Sequence, residues 1–454
     1  MAVGGVMGGV AVGRATTERT AVGPTTGRTT IGHATVDGAT TKRTILHVDI
    51  NSYFATLLQQ ENPRLRGRPI GIIKDVGRSC VIAASKEAKQ HGVRTGSSLV
   101  EARRRCPGLM AVPASFDRYL DATKRLQRIF LAIAPPPNVY IFSLDEAFID
   151  ITTCRRYLYR RPRWAAERLQ ADIKVELGEW VTCNVGISHN RLLAKIASEI
   201  SPKGSVAEIS HANLDAVLAS ITFSDVCGVG YRLEKKLAKL GVSRPYQLRF
   251  YSVAELEPVV GPFWARELRR IAYGREPHVL RLIDRPQPHM KSVGRSITGY
   301  RLYDDEAEIR AILLNLMEEV TAKVRRMGLA GRLAFIRLYG HDDSWGAHRT
   351  LRYHLQRTDQ LFEVLYRQLY QSWPRRFQII KFWVGLGLLQ PVSTVTPSLL
   401  PQDGQRQAVA TAVDTISRRY GLFTVRSGAL LNQPIIRPEV TGYLGDRQYQ
   451  LEHV

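Results

Sequence analysis

At 454 residues the chain is too long for a single hydrophobic core and should divide into several domains. Lys and Arg number 64 against 41 Asp and Glu, a net charge of +23 that calls for a polyanionic partner, and no apolar run is long enough to span a bilayer, so nucleic acid is favoured over membrane. Cys80, Cys106, Cys154, Cys183 and Cys227 are scattered, odd in number and never spaced Cys-x-x-Cys, which indicates neither a disulfide framework nor a zinc site and fits a reducing cytosol.

Residues 1–43 are rich in Gly, Thr, Ala and Val with scattered Arg, show no helical or strand period, and include the turn former Gly23-Pro24. A disordered tail is expected there. It has no continuous apolar core of the secretory kind, and a functional tail, an upstream start and a transit peptide stay open as its origin. A strand at Thr44 to Asp49 comes next, then a short helix from Ser52, then a segment from Pro63 to Pro113 whose middle, Cys80 to Val93, reads as a strand running into a helix stopped by Gly92. An amphipathic helix over Asp117 to Ala134 is ended by Pro135-Pro136-Pro137.

Ser143-Leu144-Asp145-Glu146-Ala147-Phe148-Ile149-Asp150 then sets two adjacent carboxylates between apolar runs that read as the strands of a hairpin. A buried, unpaired carboxylate loses several kcal/mol of hydration, so such a pair calls for a counter-ion. Asp49 stands in the same context, at the end of Ile45-Leu46-His47-Val48-Asp49-Ile50, and the three acids can converge. Hard oxygen ligands with no His or Cys beside them suit Mg²⁺; the alternative is that these acids only end strands or cap a turn.

A helix around Trp164 to Glu176, a strand at Val181 to Ile187 and a helix from Asn190 to Glu199 complete an α/β sandwich of mixed strand order. His211 to Ile283 reads as all helical, and Gly228-Val229-Gly230 followed by Leu233, Leu237, Leu240 and Gly241 makes a helix-hairpin-helix pattern. Backbone amides freed by two glycines at a helix start can approach a phosphate closely, with a plain turn as the alternative. From Met290 the order becomes strand, helix at Asp305 to Met327, strands at Arg332 to Tyr339 and Thr350 to Leu355, helix at Asp359 to Trp373, and strand at Gln378 to Leu388, a βαββαβ layout. Arg295, Arg332, Arg337, Arg349, Arg352 and Lys381 lie on or beside these strands with aromatic neighbours Tyr300, Phe335, Tyr339 and Tyr353. Singly each reads as a solvated edge charge; as a set they suit a surface that tracks a phosphate backbone. A helix follows at Gln405 to Tyr420, and residues after Arg426 show no motif.

Four stretches, in one order, are similar to motifs of the Y-family translesion DNA polymerases. They are His47-Val48-Asp49-Ile50-Asn51-Ser52-Tyr53-Phe54-Ala55; Ser143 to Asp150; Gly186-Ile187-Ser188-His189-Asn190-Arg191-Leu192-Leu193-Ala194-Lys195-Ile196-Ala197-Ser198 with Pro202-Lys203-Gly204; and Cys227-Gly228-Val229-Gly230. The resemblance covers roughly residues 44 to 390. It implies a multidomain α/β right-hand polymerase: an α/β palm at 44–209 with small fingers inserted at about 63–115, a helical thumb with the helix-hairpin-helix at 210–286, a βαββαβ little finger at 287–392, and an extension at 393–454.

The implied activity is template-directed addition of deoxynucleotides to a primer 3′ end opposite damaged DNA, by a monomer in the cytoplasm at the nucleoid, with primer-template DNA and deoxynucleoside triphosphates as partners. Two Mg²⁺ ions are the implied cofactor: Asp49 and Asp145 bridge them, Glu146 binds the one nearest the primer, and the Ile50 carbonyl completes the nucleotide-side site. Phe54, five residues after Asp49, matches the steric gate against a 2′-hydroxyl; if it is instead a core residue, Tyr53 is the more exposed ring, and both are counted toward the nucleotide. Lys195 is either a snorkelling surface residue or the ammonium that neutralises the triphosphate.

In the fingers, where DinB-type members carry a Tyr and an Arg, this chain has Lys86 and Lys89; the Glu-Ala-Lys run, Asn51 and the far C-terminal region resemble the UmuC branch, and Lys89 is either the phosphate contact expected there or a plain surface lysine. Pro397-Ser398-Leu399-Leu400-Pro401-Gln402-Asp403 holds the place of a sliding-clamp peptide but lacks its leading Gln and its aromatic residue, so a small apolar plug and an ordinary linker both fit. Two rival functions remain: an inactive DNA-binding scaffold, which would not need the carboxylates, and a nucleotide cyclase, which would have no use for the helix-hairpin-helix, the little finger or a charge of +23.

Overall fold

The computed structural model describes residues 35–36, 39–40, 43–73, 80–154, 161–284 and 290–431. Residues 1–42 form a unit of their own, in which Thr35–Val36 (β1) pairs antiparallel with Ala39–Thr40 (β2); the rest of the expected disordered tail, and the motif-free 432–454, lie outside the described residues.

The second unit opens with Ile45–Ile50 (β3) and Tyr53–Glu61 (α1), joined by Ser52 in the left-handed region at φ 49°. A separate small sheet follows, made of Ile70–Ile73 (β4), Val81–Ala84 (β5) and Met110–Pro113 (β6), with short helices at Lys86–Gln90 (α2) and Leu99–Arg105 (α3). Ser85 and Ser98 start those helices by accepting from the backbone N–H three residues on, and Gly92, at φ 77°, follows the first of them as expected.

Phe116–Ile133 (α4) leads to the hairpin of Val139–Ile141 (β7) and Glu146–Asp150 (β8), then Pro162–Leu177 (α5), Cys183–Ser188 (β9), Arg191–Ile200 (α6) and Val206–Ile209 (β10). The five strands run in the order β10-β9-β3-β8-β7, antiparallel except for the β10–β9 pair. Strand parity divides the two faces. Leu46, Val48, Ile50, Ala147 and Ile149 pack with α4 and α5, whereas Ile45 and Phe148 join Leu192, Leu193 and Ile196 of α6 and the helices beyond it. His47, Asp49 and Glu146 share the parity of that second face.

Residues 214 to 284 are helical throughout as described, built on Leu214–Ser220 (α7), Tyr231–Ala238 (α8), Val253–Val260 (α9), Pro262–Ala272 (α10) and His278–Arg281 (α11). The last sheet combines Ser292–Tyr303 (β11), Leu329–Tyr339 (β12), Ser344–Leu355 (β13) and Ile379–Pro391 (β14), antiparallel in the order β11-β14-β12-β13, with Glu306–Arg326 (α12) and the helical stretch from Thr358–Phe362 (α13) onward on one face. The helix expected over Asp359 to Trp373 is α-helical only through Phe362; Glu363–Leu369 winds wider as a π-helix. Its stripe of Phe362, Tyr366 and Tyr370 stacks ring on ring at 4.8 and 5.2 Å, and both tyrosine hydroxyls donate to Glu306, which accompanies the wider winding. Pro401–Tyr420 (α14) buries none of its residues, and the chain after it returns to pack Phe423 and Leu430 against Ala311 and Leu314 of α12.

Candidate active site

Asp49, at the end of the central strand β3, lies directly opposite Glu146, the first residue of β8. Asp145 is the last residue of the hairpin turn, and its carbonyl accepts from the Ile50 N–H at 3.0 Å, so the three acids converge at one end of the sheet. Burial pushes Asp49 up to about 7, with the charges of Asp145 and Glu146 adding to the effect. Asp145 is raised as well, by burial first, although the Ser143 hydroxyl donates to its carboxylate. Burial also opposes the charge on Glu146, yet the His47 hydrogen bond and Lys195 outweigh it and hold this carboxyl below its usual range.

One locked anion beside two carboxylates that resist ionising leaves the cluster short of positive charge, and an all-oxygen donor set of this kind fits a divalent cation such as Mg²⁺. Among the described residues no three His, Cys, Asp or Glu side chains stand ready to enclose an ion.

His47, which sequence reasoning missed, stands beside the acids. It is fully buried, two residues before Asp49 on the same face, with Nε2 3.2 Å from Glu146 Oε2 and Nδ1 2.7 Å from the Ser198 hydroxyl. Its i, i+2 spacing from Asp49 on a strand was the available signal. Lys195 does not stand free in solvent: its ammonium donates to Glu146 Oε2 at 2.6 Å and to Glu199 Oε1 at 3.0 Å. Burial works against that charge, but Glu146 and Glu199 hold it above the ordinary lysine range.

Lys89 reaches from α2 to donate to the Ser52 hydroxyl at 3.0 Å, at the strained junction between β3 and α1. Burial and the neighbouring charge of Lys203 lower its pKa, and Asp49 and Asp145 act on it in the opposite sense. Lys203 is therefore a second ammonium in the field of this site, in the Pro202-Lys203-Gly204 stretch, and sequence reasoning left it without a role.

The two rings after Ser52 part ways. Tyr53 is 3% exposed, its hydroxyl donating to the Tyr119 carbonyl at 2.8 Å and lying 2.9 Å from the Thr123 hydroxyl, so its side chain is core and unavailable to a nucleotide. Phe54 is the less buried of the pair, stacked on Tyr119 with centroids 3.9 Å apart. This reverses the alternative in which Tyr53 is the more exposed ring.

Of the residues expected to meet nucleic acid, Gly228 takes φ 91° and Gly230 caps the start of α8, whose Leu233 and Leu237 are buried. Arg332, Arg337 and Arg352 are exposed. Arg295 is not. It pairs in register with Val384 on the helix-covered face of the sheet, where its Nε donates to Glu319 Oε2 at 2.6 Å with the two side chains 14% and 6% exposed. Arg349 shares that face, opposite Ala334, and donates to Gln368, whereas Lys381 lies over the Tyr339 ring. The Tyr300 side chain lies outside the described residues. In the 397–403 segment Leu399 and Leu400 are 94% and 67% exposed, and Asp403 is tied to Arg357 in the first turn of α14.

An acid cluster on a palm-like sheet, with a small inserted sheet, a helical unit and a further α/β unit after it, defines a polymerase of the right-hand class. A solved Y-family DNA polymerase chimera has the same fold, with a TM-score of 0.65 and 21% identity over 76% of this chain and 98% of its own. Residues 48–199 match the impB/mucB/samB family and residues 290–399 its C-terminal domain, and the chain belongs to that family. DNA polymerase IV of Moorella thermoacetica is 32% identical over 385 residues, covering 83% of this chain and 93% of the relative. DNA polymerase IV of Pelotomaculum thermopropionicum is 31% identical over 384 residues, covering 83% and 92%.

Proposed function

We infer that the chain is a template-directed DNA polymerase of the translesion type, extending a primer 3′ end with deoxynucleotides. The observation that carries this is the convergence of Asp49, Asp145 and Glu146 at one end of the palm sheet in a chain of this family. The domain reading places the palm at 44–209 with fingers at about 63–115, the thumb at 210–286, the little finger at 287–392 and an extension at 393–454. Two Mg²⁺ ions, when bound, would supply activation of the primer hydroxyl and neutralisation of the leaving pyrophosphate.

Asp49 and Asp145 would hold both ions, Glu146 the one nearest the primer, and the Ile50 carbonyl the one nearest the nucleotide. Lys89 and Lys203 would be the ammonium groups that meet the triphosphate, a role supported by the engagement of Lys195 with two carboxylates. The less buried Phe54 ring would lie under the sugar. Exposed Arg332, Arg337 and Arg352, with the amides around Gly228 and Gly230, would follow the DNA backbone. Exposed Leu399 and Leu400 would offer a minimal plug to a sliding clamp. Among the described residues no helix is long and apolar enough to cross a membrane, and the reading is of a monomer acting at the nucleoid.

Extension of a labelled primer by the purified chain tests the reading. Asp145→Ala should abolish extension and leave duplex affinity nearly intact, since affinity comes from surfaces remote from the acids. Extension retained above roughly a hundredth of the parent rate, about 2.7 kcal/mol of barrier, would remove Asp145 from the chemistry. Cyclic nucleotide formation without primer extension would favour the cyclase.

A further inference from the structure

We propose that His47 is a positioning residue that, together with Lys195, holds Glu146 by a single oxygen. The inference rests on the reading of Glu146 as a metal ligand. Both donors, His47 Nε2 at 3.2 Å and Lys195 Nζ at 2.6 Å, take Oε2, which leaves Oε1 of the same carboxylate for a cation. A glutamate held in this way is a one-oxygen ligand of fixed direction rather than a side chain free to turn about its last torsion.

The ring itself is fixed on every side. His47 is 0% exposed, lies between Phe148 and Gly186 in the sheet register, packs on the Phe148 ring at 4.6 Å and has Nδ1 2.7 Å from the Ser198 hydroxyl. With Nε2–H turned to a carboxylate, a neutral imidazole keeps Nδ1 as an acceptor, and the one hydrogen of the Ser198 hydroxyl, for which the Lys195 carbonyl at 2.8 Å competes, must then turn to the ring. Ser198 and Lys195 both belong to α6, so one helix orients the histidine and also supplies the second donor to Glu146. Gly186 makes this possible: a Cβ there would collide with the Ala194 carbonyl and lie 2.6 Å from the Ser198 nitrogen. The backbone of α6 therefore lies directly on β9, close enough to reach across to β3.

The test uses Mn²⁺ as the probe, titrated by electron paramagnetic resonance into the full chain bound to a dideoxy-terminated primer-template and the matching nucleotide, where no chemistry occurs. His47→Asn keeps an amide where Nδ1 meets Ser198 but cannot reach Glu146, whereas His47→Gln can extend a donor to Glu146. The expected result is that His47→Asn weakens one Mn²⁺ by roughly tenfold while Tm and duplex affinity stay at the parent values, and that His47→Gln restores most of the loss. Parent-like Mn²⁺ binding by a folded His47→Asn would overturn the proposal. So would losses in both variants that merely follow a fall in Tm. Glu146→Gln separates the two levels: if it binds both Mn²⁺ ions normally, the assignment of Glu146 as a ligand has failed, and the inference with it. If neither His47 variant folds, Ser198→Ala, which releases the ring, takes their place with the same two readings.

Discussion

Phe54 and Tyr53 are neighbours of similar size with opposite fates, and the hydroxyl accounts for the difference. A buried phenol needs a partner, and Tyr53 finds the Tyr119 carbonyl and Thr123 on α4, which draws its ring inward. Phe54 has no such anchor and stacks flat on Tyr119 at the rim. A rim phenylalanine lying under the sugar, as proposed, would exclude a 2′-hydroxyl by repulsion, so truncation should relax sugar choice without abolishing activity. Phe54→Ala is expected to raise ribonucleotide incorporation at least tenfold relative to deoxynucleotides, about 1.4 kcal/mol in the ratio of kcat/KM. Tyr53→Phe should leave that ratio unchanged. Competition assays with paired ribo- and deoxynucleotides read both, and relaxation in Tyr53→Phe but not in Phe54→Ala would transfer the gate to Tyr53.

Helices here carry more than one duty, and α12 shows it best. One side fills the core of the last domain with Leu313, Leu316, Met317 and Val320, while Glu318 turns toward the C-terminal segment and accepts from the Ser427 backbone. Burial pushes Glu318 up to about 7, against the opposing pull of that hydrogen bond and of Arg325. The unfolded chain, with an ordinary carboxylate near 4.3, gives up this proton first, so the group's contribution to stability is complete below about pH 4.3 and is lost as pH rises through about 7. Tm should therefore fall more between pH 5 and pH 8 in the parent than in Glu318→Gln, and equal falls would show that Glu318 titrates normally. The helix beyond, α14, is held by Arg325 to Asp414 and by Arg357 to Asp403 rather than by a buried face, and it follows directly on exposed Leu399 and Leu400. Replacing both leucines with Ala should remove clamp-stimulated extension and leave unassisted extension unchanged; identical stimulation of parent and variant would make the segment a linker.

Across the whole molecule the excess of cations predicts binding dominated by counterion release. The plot of log K for primer-template against log salt should be steep, with each neutralised phosphate contributing about 0.9 to the slope, and nearly indifferent to DNA sequence. Arg337→Ala and Arg352→Ala should each lower the slope by about 0.9. Arg295→Ala should leave the slope unchanged and instead cost about 3 kcal/mol of stability, because buried Glu319 would lose the guanidinium that neutralises it and keep the neutral Asn315 amide. A changed slope for Arg295→Ala, measured by fluorescence anisotropy over a salt series, would return that residue to the DNA surface.

The order of the motifs was enough to place the chain in its family, and periodicity gave most of the element plan. An acid after an apolar β-branched run, an acid pair inside a hairpin and glycines before a leucine-spaced helix are local patterns, and local patterns survive without knowledge of neighbours. Parity on a strand shows which side chains share a face, but not which face a helix will cover. Arg295 looks like Arg337 in sequence; only the pairing of β11 with β14, opposite Val384, sets it under α12. Lys195 has a bland reading alone, His47 has none, and Lys89 has no visible link to Ser52, because each contact joins segments 37 to 151 residues apart. Such contacts depend on how closely one backbone can approach another, and at Gly186 the approach is set by a missing Cβ whose meaning appears only when α6 lies against it.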